Sequence, residues 1–197
     1  AFLIPAYLLF EANAENEAVT LKLAIPALIS IFGITVAFYR VFGTWWKTRQ
    51  LIKSWLKSSE PIFIENISLP VYRLRHPFPV IAVVGVFRPK LFIAEQIFSI
   101  LAEAELAAAI KHETGHLVTR DNLKRVLLRV SRDLVVFPLG KKLERAWAEN
   151  SESAADEFAA QSSKETALDL ASALIKIAKI VPPKTAPTMP LGSFLIE

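Results

Sequence analysis

From Leu23 to Tyr39 the chain carries no charge, and Lys22 and Arg40 bracket the run. Coiled as a helix it reaches about 26 Å, slightly short of the roughly 30 Å hydrocarbon core of a bilayer. Lys22 and Arg40 can snorkel outward, and Val41 to Trp46 extend the run, with Trp45 and Trp46 placed as interfacial anchors. Pro26 falls in the first turn of such a helix, where its missing N–H does little damage. Hydrophobic residues make up 53% of the 197, high for a domain dissolved only in water. A transmembrane helix over about residues 22–44 is the expectation, with a buried helix of a soluble core as its competitor. The almost wholly apolar stretch Ala1 to Phe10 reads as the last turns of an earlier span, which makes residues 1–46 a membrane region.

The flanks of the run are unequal. Glu11, Glu15 and Glu17 precede it; Lys47, Arg49, Lys53 and Lys57 follow it. Basic residues collect on the cytoplasmic side, so everything after residue 46 is expected there. The same flank explains much of the net charge of +4. With no recognisable nucleic-acid motif, direct contact with nucleic acid is not expected. The chain has no cysteine. Disulfides and Cys-ligated metals are excluded, and any metal site must use His and carboxylates.

Residues 47–59 read as helix, either the span continued or an amphipathic segment on the membrane surface, with Trp46, Ile52 (or Trp55) and Leu56 as its apolar stripe and Pro61 as its end. From Pro61 to Ala94 the pattern changes to β-branched runs punctuated by Pro70, Pro77, Pro79, Gly85 and Pro89, the signature of short strands and hairpins. Val80 to Phe87 is either a structural hairpin strand or an edge that accepts an extended peptide. Helices should follow: one opened by Ser99 or Ala102, then Asn122 to Val136, Lys142 to Ser162 and Glu165 to Val181. Val126 to Leu139 is apolar but carries Arg129, Arg132 and Asp133, too short and charged for a second span and suited to a membrane surface. The fold class expected is α+β: a transmembrane helix, then a domain over 47–181 made of a small β-sheet followed by a mainly helical part. Residues 182–197, with four prolines, read as a linker.

Two of the three histidines lie in one pentapeptide, His112-Glu113-Thr114-Gly115-His116. On a helix, positions i and i+4 share a face, so both imidazoles can converge on one ion. Glu113 is rotated by about 100° and can reach a water beside that ion. A zinc ion makes water acidic enough for a carboxylate to deprotonate near neutral pH. Glu113 is therefore the candidate catalytic base, and His112 and His116 are candidate ligands of Zn²⁺. A catalytic zinc commonly takes two His and a Glu. Glu152 and Asp156, again i and i+4, supply the third ligand and a hydrogen-bond acceptor for a ligand imidazole, His112 by preference. Glu149 is the competing ligand. The small residues Ser153, Ala154 and Ala155 would let the two helices approach closely.

The HETGH helix, the following Arg120-Asp121-Asn122-Leu123 and the later ExxAD run resemble the membrane metallopeptidases of the BlaR/MecR antirepressor type, with a gluzincin-like ligand set. Pro77-Phe78-Pro79-Val80, Gly85-Val86-Phe87-Arg88-Pro89 and Leu91-Phe92-Ile93-Ala94 resemble that family's strands before the active-site helix. By this resemblance His112, His116 and Glu152 are metal ligands, Glu113 is the base, and the domain is zincin-like. It implies a zinc endopeptidase in a bacterial-type inner (plasma) membrane, facing the cytoplasm and cleaving a protein or peptide substrate such as a transcriptional repressor in response to a signal. The CAAX prenyl protease and heat-shock membrane protease group, devoted to quality control, shares both motifs and is the nearest rival. A non-catalytic transmembrane signalling protein with a structural zinc is a third reading, which the presence of Glu113 disfavours. Asp121 matches a family Asp and suits a helix cap or a hydrogen bond to a ligand. His76 reads as a loop residue or transition-state donor, and Tyr72, Arg88 and Arg125 are candidate oxyanion partners.

Overall fold

The computed structural model describes residues 21–65, 67–134, 140–161 and 163–181. The proposed earlier span at Ala1–Phe10 and linker at 182–197 lie outside them. One helix, α1 (Leu21–Lys57), joins the apolar run to the basic segment without a break. Past Trp46 it is built of Lys, Arg, Gln and Leu with no Gly or Pro, residues that hold helix well. Pro26 is the sixth residue of α1, beyond the first turn expected for it. Leu28, Ile29, Phe32 and Phe38 are 65–72% exposed, which a core helix of a soluble protein would not tolerate. By length and composition α1 is long and apolar enough to cross a membrane.

The far end of α1 turns from lipid-like surface to core. Trp55 is buried and packs edge-on against Phe92 at 5.1 Å, with Tyr72 stacked on the same ring. Ile52 and Leu56 join this contact, but Trp46 is half exposed and does not belong to the stripe expected of it. The helix stops at Lys57, before Pro61, and Pro61 instead sits inside β1 (Ser59–Ile62). An edge strand tolerates proline because one row of its N–H groups is unpaired.

The sheet is completed by β2 (Val71–Leu74), β3 (Ile81–Val84) and β4 (Lys90–Ala94), in the order β1-β2-β4-β3. β1 and β3 run antiparallel to their neighbours, whereas β2 and β4 are parallel. β3 and β4 form a hairpin whose turn opens at Gly85, with φ of +109°. A side chain there would stand 3.2 Å from the Arg88 carbonyl, so glycine fits both demands. Every residue of β3 is buried, as are Leu91 to Ala94 of β4, the uniform apolar run of strands covered on both faces.

The helical half follows as α2 (Glu95–Ile100), α3 (Glu103–Val118), α4 (Asp121–Leu134), α5 (Gly140–Ala160) and α6 (Lys164–Ile180). α3 opens at Ala102, the later of the two expected starts, and the short α2 that ends at Ile100 precedes it. α3 lies at the centre, against β3, α5 and α6. Glu105 ties its start together: it accepts from the Ala102 N–H, the Ser172 hydroxyl and Lys176 of α6. Ser163 caps α6 through the Thr166 N–H.

Candidate metal centre

α3 buries the face that carries Ala108, Ala109, His112, Glu113 and His116. One turn apart, the two imidazoles point Nε2 at Nε2 across 3.2 Å. Glu152 of α5 brings Oε2 to 3.5 Å from each of them. These three residues form a group that could hold a metal ion. Ligands of a tetrahedral zinc with bonds of 2.0–2.1 Å stand about 3.3–3.4 Å apart, and the triangle here has edges of 3.2, 3.5 and 3.5 Å. Glu152 Oε1 is buried without a hydrogen-bond partner among the described residues. A polar atom left so is costly unless something else engages it. The donor set and its spacing fit a small divalent cation.

The imidazoles are held from behind. His116 Nδ1 lies 2.8 Å from Asp121 Oδ2, an oxygen that also accepts from Ser151 at 2.7 Å. His112 Nδ1 lies 2.9 Å from Asp156 Oδ1, within ion-pair distance but without hydrogen-bond geometry. A proton on His116 Nδ1, held by Asp121, leaves its Nε2 facing the same point as the Glu152 carboxylate. Burial pulls the His116 pKa down, but Asp121, Glu152 and the charge of Glu113 outweigh it and raise the value to about 10. Burial likewise works to raise Asp121 and Glu152; hydrogen bonds from His116, Ser151 and Thr119 at Asp121, and from His112 and His116 at Glu152, overcome it and lower each to about 2. Concentrated negative charge facing two imidazoles is an environment for a cation.

The structure also decides what brings Glu152 there. Gly115, inside HETGH, faces Ala155: a Cβ at Gly115 would sit 3.2 Å from the Ala155 Cα and 3.3 Å from Phe158. The buried face of α5 is Ser151, Ala155 and Ala159. Ser153 and Ala154, expected in that contact, face solvent. The sequence reading thus named one right residue of three and missed Gly115, although the spacing 151, 155, 159 was readable as a small-residue stripe. Glu149 is turned away, paired on the surface with Arg145 at 3.0 Å.

Glu113 is fully buried, and its Oε2 accepts from the Val83 N–H of β3 at 3.1 Å. Asn122, the second residue of α4, donates to the carbonyls of Val83 and Gly85. Those contacts occupy the outward peptide groups of β3 at Val83, which favours the structural hairpin over an open peptide-binding edge at that position. A cleft of about 330 Å³ opens beside His116, walled by Gly85, Phe87, Leu117, Arg120 and Asn122. A larger cavity elsewhere, beside α1, does not include the metal centre.

The remaining sequence candidates separate. His76 is engaged by Phe78 and lies edge-on to Trp55, on the core side of the sheet. Tyr72 stacks on Phe92 and its hydroxyl accepts from Lys90. Arg88 is exposed in the β3–β4 turn. Arg125 is buried in α4 over the ring of Trp147 of α5, between the helices that supply Asp121 and Glu152.

Two imidazoles one turn apart, a carboxylate from a second helix and a buried acid next to the first imidazole define a centre of the metal-dependent peptidase class. Residues 82–151, just over a third of the chain, match the model of peptidase family M48, a likeness to a family of metallopeptidases. The match spans β3 to the first half of α5, taking in His112, Glu113, His116 and Asp121, and stops one residue before Glu152. Glu152 lies outside the match and rests on the geometry and on the ExxAD pattern. A search of the curated proteins finds no match.

Proposed function

We propose that the chain is a membrane-anchored zinc endopeptidase, held by α1 and working on a cytoplasmic protein or peptide. The observation that carries the reading is the His112–His116–Glu152 triangle with Glu113 buried beside it. His112, His116 and Glu152 hold the zinc; Asp121 and Asp156 orient the two imidazoles. When bound, zinc supplies the Lewis acidity that polarises a scissile carbonyl and makes water acidic near neutral pH. Glu113 takes the proton of the attacking water and returns it to the departing amine. Its hydrogen bond from the Val83 N–H holds Oε2 and aims the carboxylate, leaving Oε1 to take the proton. The cleft between Phe87 and Arg120 receives the substrate beside His116.

The substrate proposed first is a regulatory protein, possible repressors included, because of the antirepressor resemblance in HETGH, Arg120-Asp121-Asn122-Leu123 and ExxAD. Quality-control cleavage of membrane proteins is the second reading, supported by the family match, which does not single out the antirepressor type. The experiment is zinc content by elemental mass spectrometry on detergent-purified protein, with cleavage of a protein panel, in wild type, Glu113→Gln and Glu152→Ala. Wild type and Glu113→Gln should each hold about one zinc, and Glu152→Ala less. Cleavage by Glu113→Gln should drop by about 10²–10⁴-fold. Unchanged cleavage in Glu113→Gln would leave a structural metal site, and a folded wild type that takes up no zinc would remove the enzyme altogether.

A further inference from the structure

Helix α6 is apolar on two opposite faces. Leu170, Ala173 and Ile177 are buried against the core, while Leu168, Ala171, Ile175 and Ala178 are exposed on the far side. Leu168 is 71% and Ile175 57% exposed. Single apolar side chains on a surface are ordinary, but these four form one line. Their spacings of three, four and three are those of a helix that meets a second helix.

The order along this stripe is large, small, large, small. Reversed, it is small, large, small, large. A second α6 laid antiparallel across a two-fold axis therefore sets Leu168 against the partner's Ala178 and Ile175 against the partner's Ala171, each contact occurring twice. Every bulky side chain then fills the space over an alanine, as close packing requires. A parallel pair would set leucine on leucine and alanine on alanine, and a lipid surface needs no such alternation.

The charges have the same polarity. Glu165 and Asp169 flank the stripe in its first half and Lys179 in its second, all along one side. Lys176, on that side too, is held by Glu105 of α3. Neither Glu165 nor Lys179 has an ion-pair partner among the described residues. In the antiparallel pair this flank meets itself reversed, which brings the partner's Glu165 beside Lys179. Lys164 continues the line of the stripe but falls at the end of the partner's helix, past the apolar contacts.

We propose that α6 pairs antiparallel with α6 of a second copy of this chain, through Leu168, Ala171, Ile175 and Ala178. The seam runs about 16 Å along the helix, so the pair belongs at the weak end of protein interfaces. Neither the metal ion nor the membrane enters the argument. The pairing nonetheless bears on the metal centre, because α6 packs directly on α3.

The chain has no cysteine of its own, so single cysteines report the pairing and trap a weak contact. Leu168→Cys and Ala178→Cys are placed on two differently tagged copies of the whole chain, which are expressed together and oxidised. Antiparallel pairing brings these two positions within about 7 Å, the limit a disulfide spans, and leaves like positions about 15 Å apart. The mixed dimer should form, and like dimers should stay at the level given by Arg145→Cys, an exposed position on α5. Lys179→Glu in both copies should lower the mixed yield by about two- to fivefold, and Glu165→Lys added to it should restore the yield. Like dimers as abundant as the mixed one would show parallel or random contact and overturn the proposal. A mixed yield at the control level would overturn it too, the outcome if lipid or residues 182–197 cover the stripe. Failure of Glu165→Lys to rescue Lys179→Glu would remove the antiparallel register on which the proposal stands.

Discussion

Gly115 is the position where packing and chemistry can be pulled apart. Its missing side chain lets α3 and α5 meet, and Glu152 sits one turn before the contact residue Ala155. Alanine at 115 would place a Cβ 3.2 Å from the Ala155 Cα, against backbone that has no flexible end to move aside. Relief to ordinary contact requires α5 to shift by a few tenths of an ångström; valine, whose methyls reach about 1.5 Å further, requires more. Zinc sites tolerate about 0.2 Å in their bonds. Gly115→Ala is expected to weaken zinc binding by about tenfold, comparable to losing an orienting partner of a ligand. Gly115→Val should approach the loss of Glu152 itself. Stability should respond differently. Alanine gains about 0.5–1 kcal/mol of helix preference over glycine, offset by overpacking of about 1–3 kcal/mol, so the metal-free Gly115→Ala protein should be destabilised by no more than about 2 kcal/mol. Chelator competition for zinc and denaturant unfolding of the metal-free protein measure the two effects. Wild-type zinc affinity in Gly115→Val would show that α5 does not need this approach to deliver Glu152, and the reasoning would fail.

Asp121→Ala removes the acceptor behind His116 and should lower zinc affinity by about 10–100-fold by the same competition assay; an unchanged affinity would mean that Ser151 alone can orient the ring. Trp55→Ala empties the contact between α1 and the sheet at Phe92 and should cost about 3–5 kcal/mol in denaturant unfolding. Glu105 has its pKa lowered to about 2 by the hydrogen bonds from Lys176, Ser172 and the Ala102 N–H. Its contribution to stability is therefore complete above the ordinary value of 4.5 and disappears as pH falls toward 2. Thermal unfolding followed from pH 6 down to about 2 should show that decline, and Glu105→Gln should be flatter across the same window.

Features set by spacing along one element were legible in the sequence. The charge-free run gave α1, because length and composition alone decide whether a helix can span lipid. HETGH gave two convergent imidazoles, because i and i+4 stack whatever the rest of the chain does. Glu152 over Glu149 was also readable, since Glu152 and Asp156 share a face and both reach His112. What needed a second element was not legible. The parallel pairing of β2 with β4 skips over β3, and no local pattern in four-residue strands announces it. Val83 holding Glu113 follows from that order, because it places β3 at the edge beside α3.

Asp121 illustrates the limit most sharply. Five residues beyond His116, it would be carried around to another face if α3 continued, since five residues of helix turn by about 500°. It reaches His116 because Arg120 adopts φ of +55°, breaking the helix and folding α4 back across it. Glycine or asparagine would have marked such a turn in the sequence; arginine does not. A residue held in that conformation at a cost of about 1 kcal/mol persists only where its surroundings fix it. Here the Arg120 N–H bonds to the Leu117 carbonyl, the N–H groups of Leu123 and Lys124 bond to the Arg120 carbonyl, and Asp121 is buried between His116 and Ser151. The turn is thus a product of the metal centre's own support: the contact that orients the ligand also holds the backbone that makes the contact possible.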